Sequence, residues 1–253
     1  MDEKSLEKEK SLLVGKSYKC PVCDEKFTSL GVRSGKVRSE GQDRDLRPRS
    51  SSIDSIKYSV ILCPHCGYAA LSQYFSTVTV HQRKAIEEGI TPNYDGLKGQ
   101  GEVVPEYYSD EEALRRFRVA LANCLVKKCK DSEKGNLYLR MGWLFRGRRE
   151  RLDKDNAGYE KAAAKLKAEE DKALKQALDF FIKARMNEDY PIGGMDEPTL
   201  EYLIAALALG AGEKETASKM IGQILVSRTV NDRIKDKARD LKEEVAKLEA
   251  KES

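Results

Sequence analysis

From Ser109 onward, apolar residues recur at intervals of three and four, the period of an amphipathic helix. Leu114, Phe117, Leu121 and Leu125 predict a first helix, and Ser109 with Glu112 supplies capping-box spacing at its start. Leu137, Met141 and Leu144 predict a second. Tyr159, Ala163, Leu166, Ala173, Ala177, Phe181 and Ala184 predict a long third, and Leu200, Leu203, Ile204 and Leu207 a fourth. Ala217, Met220, Ile221 and Ile224 mark a fifth. A last helix, capped by Asn231, carries Ile234, Ala238, Leu241, Val245 and Leu248. Pro191 with Gly193-Gly194, then Gly210 and Gly212, are the expected stops.

Upstream the texture differs. Between Tyr18 and Tyr108, short apolar stretches alternate with Gly, Pro, Ser and Asp, and four of the six cysteines lie here. Strands are expected at Lys57 to Leu62 and at Lys36 to Arg38. A helix is expected after Thr79, which has capping-box spacing to Gln82, and Gly89, Pro92, Gly96, Gly99, Gly101 and Pro105 read as a linker. Residues 1–16 alternate acid and base and read as a tail or frayed helix. The expected domains are therefore 1–16, a small module over 17–108, and a helical domain over 109–253. The fold class is mainly α: a zinc-ribbon-like β module built on four cysteines, followed by an antiparallel helical bundle.

Small and large residues in the second half suggest tetratricopeptide-like helix pairs. Tyr138, Met141, Gly142 and Phe145 resemble the first helix of that repeat, and Ala177, Phe181 and Ala184 have the offsets of the second. Some twenty residues more than the motif allows, the polar stretch Arg146 to Lys172, separate them.

Composition narrows the class. Apolar residues make up 40% and charged residues 35% of the 253 positions, so an extended helical body fits better than a large barrel or sandwich. Apolar runs such as Leu203 to Leu209 are far shorter than the roughly 20 residues that span a bilayer. The start, Met1-Asp2-Glu3-Lys4, is too charged for a signal peptide, so a cytoplasmic protein is expected. A net charge of +4 from 46 basic and 42 acidic residues leaves no strong polyelectrolyte.

The sharpest chemical signal is a repeated cysteine motif, Cys20-Pro-Val-Cys23 and Cys63-Pro-His-Cys66-Gly67. Two residues between cysteines let a tight knuckle aim both sulfurs at one point, and two knuckles complete the tetrahedron zinc prefers. Gly67 supplies the permissive backbone such a turn needs, and Asp24, at the equivalent place, tolerates a left-handed conformation less freely. Cys20, Cys23, Cys63 and Cys66 are thus the expected ligands of a structural zinc ion, with Lys19, Lys26 and backbone amides offsetting the thiolate charge. All four positions being cysteine, no site is left for substrate. With few apolar residues of its own, the module is expected to need the metal to fold.

Other readings compete. Cys-Pro-His-Cys also occurs in thiol oxidants, but these need a βαβ framework. His65 lies inside a knuckle and His81 on the expected helix, and neither is favoured as a ligand. Cys124 and Cys129 are expected on one helix, about 140° apart, hence as separate buried thiols. Arg33, Lys36, Arg38, Arg44, Arg47 and Arg49 between the knuckles could meet phosphate, though Glu40, Asp43 and Asp45 interleave with them. Asp43 and Asp45 are expected as turn residues rather than a catalytic pair. Arg146, Arg148, Arg149 and Arg151 are expected to be a solvated helix end. No catalytic residue is assigned.

These motifs carry a resemblance. Cys20-Pro-Val-Cys23, Phe27, Asp43-Arg-Asp45-Leu-Arg-Pro48, Tyr58-Ser-Val and Cys63-Pro-His-Cys66-Gly-Tyr-Ala-Ala70 with Phe75 resemble a bacterial family known as domain of unknown function 2225. The resemblance is strong over residues 17–90 and looser beyond. It implies the two cysteine pairs as metal ligands and no particular activity. The expected function is a zinc-binding adaptor whose residues 110–253 hold a protein partner, with nucleic-acid binding and thiol redox chemistry as alternatives and no membrane association.

Overall fold

A computed structural model describes residues 3–97 and 103–252. The chain is mainly helical, with two small antiparallel sheets near its start and eight helices among the described residues. In order these are α1 (Glu3–Ser11), β1 (Leu13–Lys19), β2 (Lys26–Val32), β3 (Val60–Leu62), β4 (Ala69–Leu71), α2 (Val80–Gly89), α3 (Asp110–Val126), α4 (Asp131–Glu150), α5 (Tyr159–Asn187), α6 (Glu197–Gly210), α7 (Lys214–Val226) and α8 (Asp232–Glu252). β1 pairs with β2 in the register Leu13 opposite Val32 and Lys19 opposite Lys26, and β3 with β4 in the register Val60 opposite Leu71. Each hairpin carries one cysteine knuckle at its turn. Cys20 to Glu25 join β1 to β2, and Cys63 to Gly67 lie between β3 and β4.

Local chemistry explains the helix starts. Thr79 and Gln82 form the full reciprocal capping box of α2. Ser109 accepts from the Glu112 amide, but the Glu112 carboxylate turns outward to Arg115 and Arg116, so only half of that box closes. Asp196 caps α6 and Asn231 caps α8 through the Ile234 amide.

The chain divides into two compact units that interleave along the sequence. The first comprises Met1–Gly41, Pro48–Cys129 and Trp143–Leu166, and the second Gln42–Arg47, Lys130–Gly142 and Lys167–Ser253. In the first, α3 lies against β3, β4 and α2. Its buried stripe is Ala113, Leu114, Phe117, Ala120, Asn123 and Cys124, while Leu125 is 70% exposed. The expected apolar face is thus rotated, because the helix buries an asparagine toward the second knuckle.

In the second unit, α6, α7 and α8 pack in succession. The short turn after α6, with Gly212 at φ +77°, makes α6 and α7 antiparallel. Small residues on α4 face large ones on α5. A Cβ on Gly135 would sit 3.0 Å from the Phe181 ring, and one on Gly142 only 2.5 Å from a Leu174 methyl. Most of the polar stretch Arg146 to Lys172 extends α4 and α5, and a turn over 151–158 joins them.

The start of the chain takes the helical alternative expected for it, and two other expectations about the first half are corrected. Residues 3–11 form α1, and Glu9 is buried against Lys57, with oxygen and nitrogen 2.5 Å apart, and accepts from the Tyr58 hydroxyl at 2.6 Å. Burial, reinforced by the Glu9 carboxylate, pushes the Tyr58 pKa upward. Lys36 to Arg38 is irregular, and the strands β1 and β2 lie where none was expected; Lys57 belongs to a 3-10 turn over Ser55–Tyr58, with strand only from Val60. The supposed linker is partly structured. Thr91–Asn93 makes a 3-10 turn and residues 94–97 lie on the second knuckle, while Gly99 and Gly101 lie outside the described residues.

A buried ion pair with one partner removed leaves an uncompensated charge. Glu9→Gln is therefore expected to cost about 3–5 kcal/mol in urea unfolding. Glu9→Leu combined with Lys57→Met should recover a large part of that loss.

Candidate metal centre

The two knuckles share one hydrogen-bond pattern. In the first, the Cys20 amide donates to the Glu25 carbonyl at 2.9 Å and the Asp24 amide to the Cys20 carbonyl at 3.0 Å. In the second, Cys63 donates to Tyr68 at 2.8 Å and Gly67 to Cys63 at 3.1 Å. The fifth position of each turn has positive φ, +62° at Asp24 and +77° at Gly67. That conformation bends the chain so that both sulfurs of a knuckle point inward. The second knuckle admits only glycine, because a Cβ on Gly67 would lie 2.4 Å from Cγ of Tyr94. At the first knuckle Asp24 is held by Lys19 at 3.1 Å and Arg83 at 2.9 Å, which keep its carboxyl below the usual range.

The hairpins bring the four sulfurs together. Cys20 and Cys66 are 3.6 Å apart and Cys23 and Cys63 3.7 Å apart, and all four lie within 4.8 Å of one another. Sulfurs around a tetrahedral ion at about 2.3 Å would be separated by about 3.8 Å. The site therefore fits a metal ion, and Cys20, Cys23, Cys63 and Cys66 are the residues that could hold it. Cys20, Cys63 and Cys66 are buried and Cys23 is partly exposed. Hydrogen bonds from Cys63 and Cys66 pull the Cys20 thiol down, and the same interactions with Cys20 push Cys63 and Cys66 up. Thiols packed this closely share their protons, and a cation in their midst would let all four ionise.

The surroundings suit such a charge. Amides of Val22 and Cys23 approach the Cys20 sulfur, the Cys66 amide approaches Cys63, and the Tyr68 amide approaches Cys66. Lys19 is nearby but paired with Asp24. Around the sulfurs stands an apolar cluster of Val22, Phe27, Ile61, Tyr68, Phe75 and Ile86, with Tyr18 stacked on Phe27 and edge-on to Phe75. The module is better supplied with aromatic packing than its composition suggested. His65 and His81 are both exposed.

Residues that the motif does not announce hold the second knuckle from outside. Asn123, fully buried, donates through Nδ2 to the Gly67 carbonyl at 2.9 Å and to Val119. Thr91 donates its hydroxyl to the Cys66 carbonyl at 3.2 Å, and the Leu97 amide donates to Pro64 at 3.1 Å. The only hint in the sequence is an asparagine among the buried positions of a helix.

Cys124 and Cys129 are joined in a disulfide, which corrects the expectation of separate thiols. The 140° separation holds only within a continuous helix, and α3 ends at Val126. Lys128 takes φ +49° and folds the chain back, so that the Cys129 amide donates to the Cys124 carbonyl at 3.0 Å and the Cα atoms lie 5.1 Å apart. The arginines between the knuckles are engaged as well. Arg44 pairs with Glu244, Arg49 makes two bonds to Glu150 at 2.7 and 2.8 Å, and Arg47 and Asp45 are buried. At the expected solvated helix end, Arg148 pairs with Glu111, and Arg151 with Asp54 and Asp110. Among the described residues, no helix is long and apolar enough to cross a membrane.

Residues 13–245 match a family model described as an uncharacterized protein conserved in bacteria (DUF2225). No curated protein and no solved structure matches the chain.

Gly67→Ala would force a left-handed alanine against Tyr94. It is expected to cost about 2 kcal/mol or more. Urea unfolding of the purified variant beside the parent protein checks this.

Proposed function

The chain belongs to the bacterial family DUF2225, and we propose that it is a non-enzymatic adaptor in which a zinc-ribbon-like head supports a helical body that holds a protein partner. Two hairpin knuckles that converge on four sulfurs carry the metal half of this reading. Zinc is the ion that an all-thiolate tetrahedral set suits best, since it needs no redox activity and no particular d-electron geometry. With every position taken by a cysteine, the ion's part is to fasten β1–β2 to β3–β4 rather than to activate water. Its removal exposes close-packed thiols and separates the hairpins.

The partner half rests on the body. The glycines of α4 that receive Leu174 and Phe181 of α5 are the small-against-large contact of tetratricopeptide-like pairs, and α6 with α7 makes the next antiparallel pair. Consecutive helix pairs of this kind present an extended face to another protein. Nucleic-acid binding is less well supported, because Arg44 and Arg49 already have carboxylate partners and Arg47 is buried. Thiol oxidant chemistry is less well supported too. The Cys63–Cys66 motif lies in an antiparallel hairpin, not in a βαβ unit.

Freshly purified protein is expected to carry one zinc per chain. A chelator at neutral pH should lower the thermal midpoint by about 10 °C or more, given the size of zinc's contribution in small domains. An unchanged midpoint after complete metal removal would contradict a fastening role. For the adaptor role, the tagged full-length chain should recover a specific protein that, once purified, binds back with a Kd of about 1 μM or tighter. Recovery of nothing that rebinds would contradict it.

A further inference from the structure

Cys124 and Cys129 form a disulfide in a chain whose other four cysteines are not cross-linked. The two stand five positions apart, across the end of α3, and close a very small ring. A cross-link stabilises a fold chiefly by restricting the unfolded chain, and that restriction shrinks with the ring, so a ring this short is a poor staple for the fold. It also contains Lys128 at φ +49°, a left-handed conformation that is unfavourable for a lysine and that turns the chain back toward Cys124. A cross-link that contributes little to the fold and carries local backbone strain is of the exchangeable kind. Cys129 follows the exposed Lys128 and is the outer of the two, 6% exposed against 1% for Cys124.

The same ring is built into the wall of the metal centre. Asn123, the residue before Cys124, accepts the Lys127 amide on its carbonyl at 2.9 Å, while its side chain donates to the Gly67 carbonyl at 2.9 Å. Lys127 lies inside the ring and is buried. Its carbonyl accepts from the Gln82 side chain at 3.4 Å, and its ammonium lies over the Tyr68 ring, 5.9 Å from the centroid. Tyr68 in turn sends its amide toward the Cys66 sulfur. The disulfide therefore closes the turn of α3 from which the second knuckle is held. Its opening frees Lys128 to leave the left-handed region, and residues 127–129 then fix the place of Asn123 less strictly.

We infer that Cys124 and Cys129 are a reversible thiol–disulfide site that sets how firmly the second knuckle keeps its ion, with the disulfide as the tighter form. This rests on the metal half of the proposed function and adds a control to it. The co-reactant is a small disulfide of the glutathione class. The Cys129 thiolate attacks one of its sulfurs, the small S–S bond breaks, one small thiolate leaves and a mixed disulfide forms. The Cys124 thiolate then attacks the Cys129 sulfur, and the second small thiolate leaves. The two cysteines lose two electrons, the small disulfide gains them, and the two cysteine protons end on the departing thiols. Excess small thiol runs the same steps backward.

The test uses the full-length, zinc-loaded chain equilibrated in buffers of graded glutathione to glutathione disulfide ratio. Acid quenching, alkylation and mass spectrometry of the peptide that holds Cys124 and Cys129 should show it passing from dithiol to disulfide across those buffers, while Cys20, Cys23, Cys63 and Cys66 stay unoxidised. Zinc release to a chromophoric chelator should be at least about threefold slower from the disulfide form than from the dithiol form. The Cys124→Ser and Cys129→Ser double variant should release at the fast rate in every buffer, and Asn123→Ala at one rate in both forms. Should the alanine variant not fold, the two forms of the parent chain still decide. A pair that stays in one state in every buffer would overturn the inference. So would equal release from the two forms, or a redox effect that survives in the double variant. Zinc that is bound but released alike from both forms counts against this inference alone, whereas a chain whose pair switches but which takes up no zinc contradicts the metal reading and this inference with it.

Discussion

Four sulfurs gathered within 4.8 Å of one another are the constraint on which the first unit depends. Thiols do not gather from two hairpins about forty residues apart because they attract each other. Their charged forms repel, and their protonated forms are too weakly polar to reward the loss of chain entropy. A cation in their midst would reverse that balance, and the parts around the cluster suit one. Amides turn toward the sulfurs, positive φ angles at Asp24 and Gly67 bend the knuckles, and an aromatic cluster keeps water away. Asn123 and Thr91 then hold carbonyls of the second knuckle, so α3 and the segment after α2 are placed by the same centre.

What could be read from the sequence follows the range of the interactions. The knuckles were legible because two cysteines and a turn are a local pattern, and duplication of that pattern made it specific. Helix starts at Thr79, Ser109 and Asn231 were legible for the same reason, since a cap reaches only three residues forward. β1 was not, because a two-stranded ribbon leaves Gly15, Lys16 and Ser17 exposed and shows little alternation. The Glu9–Lys57 pair was invisible because its members are far apart in sequence and each alone looks like a surface charge. Periodicity also misplaced the face of α3, where Leu125 is exposed and Asn123 buried. The Cys124–Cys129 pairing is not legible because the 140° separation of the two positions holds only within a continuous helix, and α3 ends at Val126.

The second unit obeys a different rule. Its core is made by helices that accept one another through size, glycine under leucine and glycine under phenylalanine, with Leu200, Leu203, Ile204 and Leu207 fully sequestered on α6. Part of the charge on its surface is paired locally. Arg185 meets Glu201, and Lys175 meets Asp179 and Glu213. The basic loop follows suit, with Arg44 drawn onto α8. What the sequence presents as a stretch of bases and acids is, in the folded chain, a turn whose charges have addresses.

X-ray absorption at the zinc edge of the purified full-length protein tests the central claim most directly. One absorber per chain, surrounded by four sulfur neighbours at about 2.3 Å and no nitrogen or oxygen ligand, is expected. A mixed sulfur and nitrogen or oxygen shell, or well-folded protein with no metal at all, would contradict it.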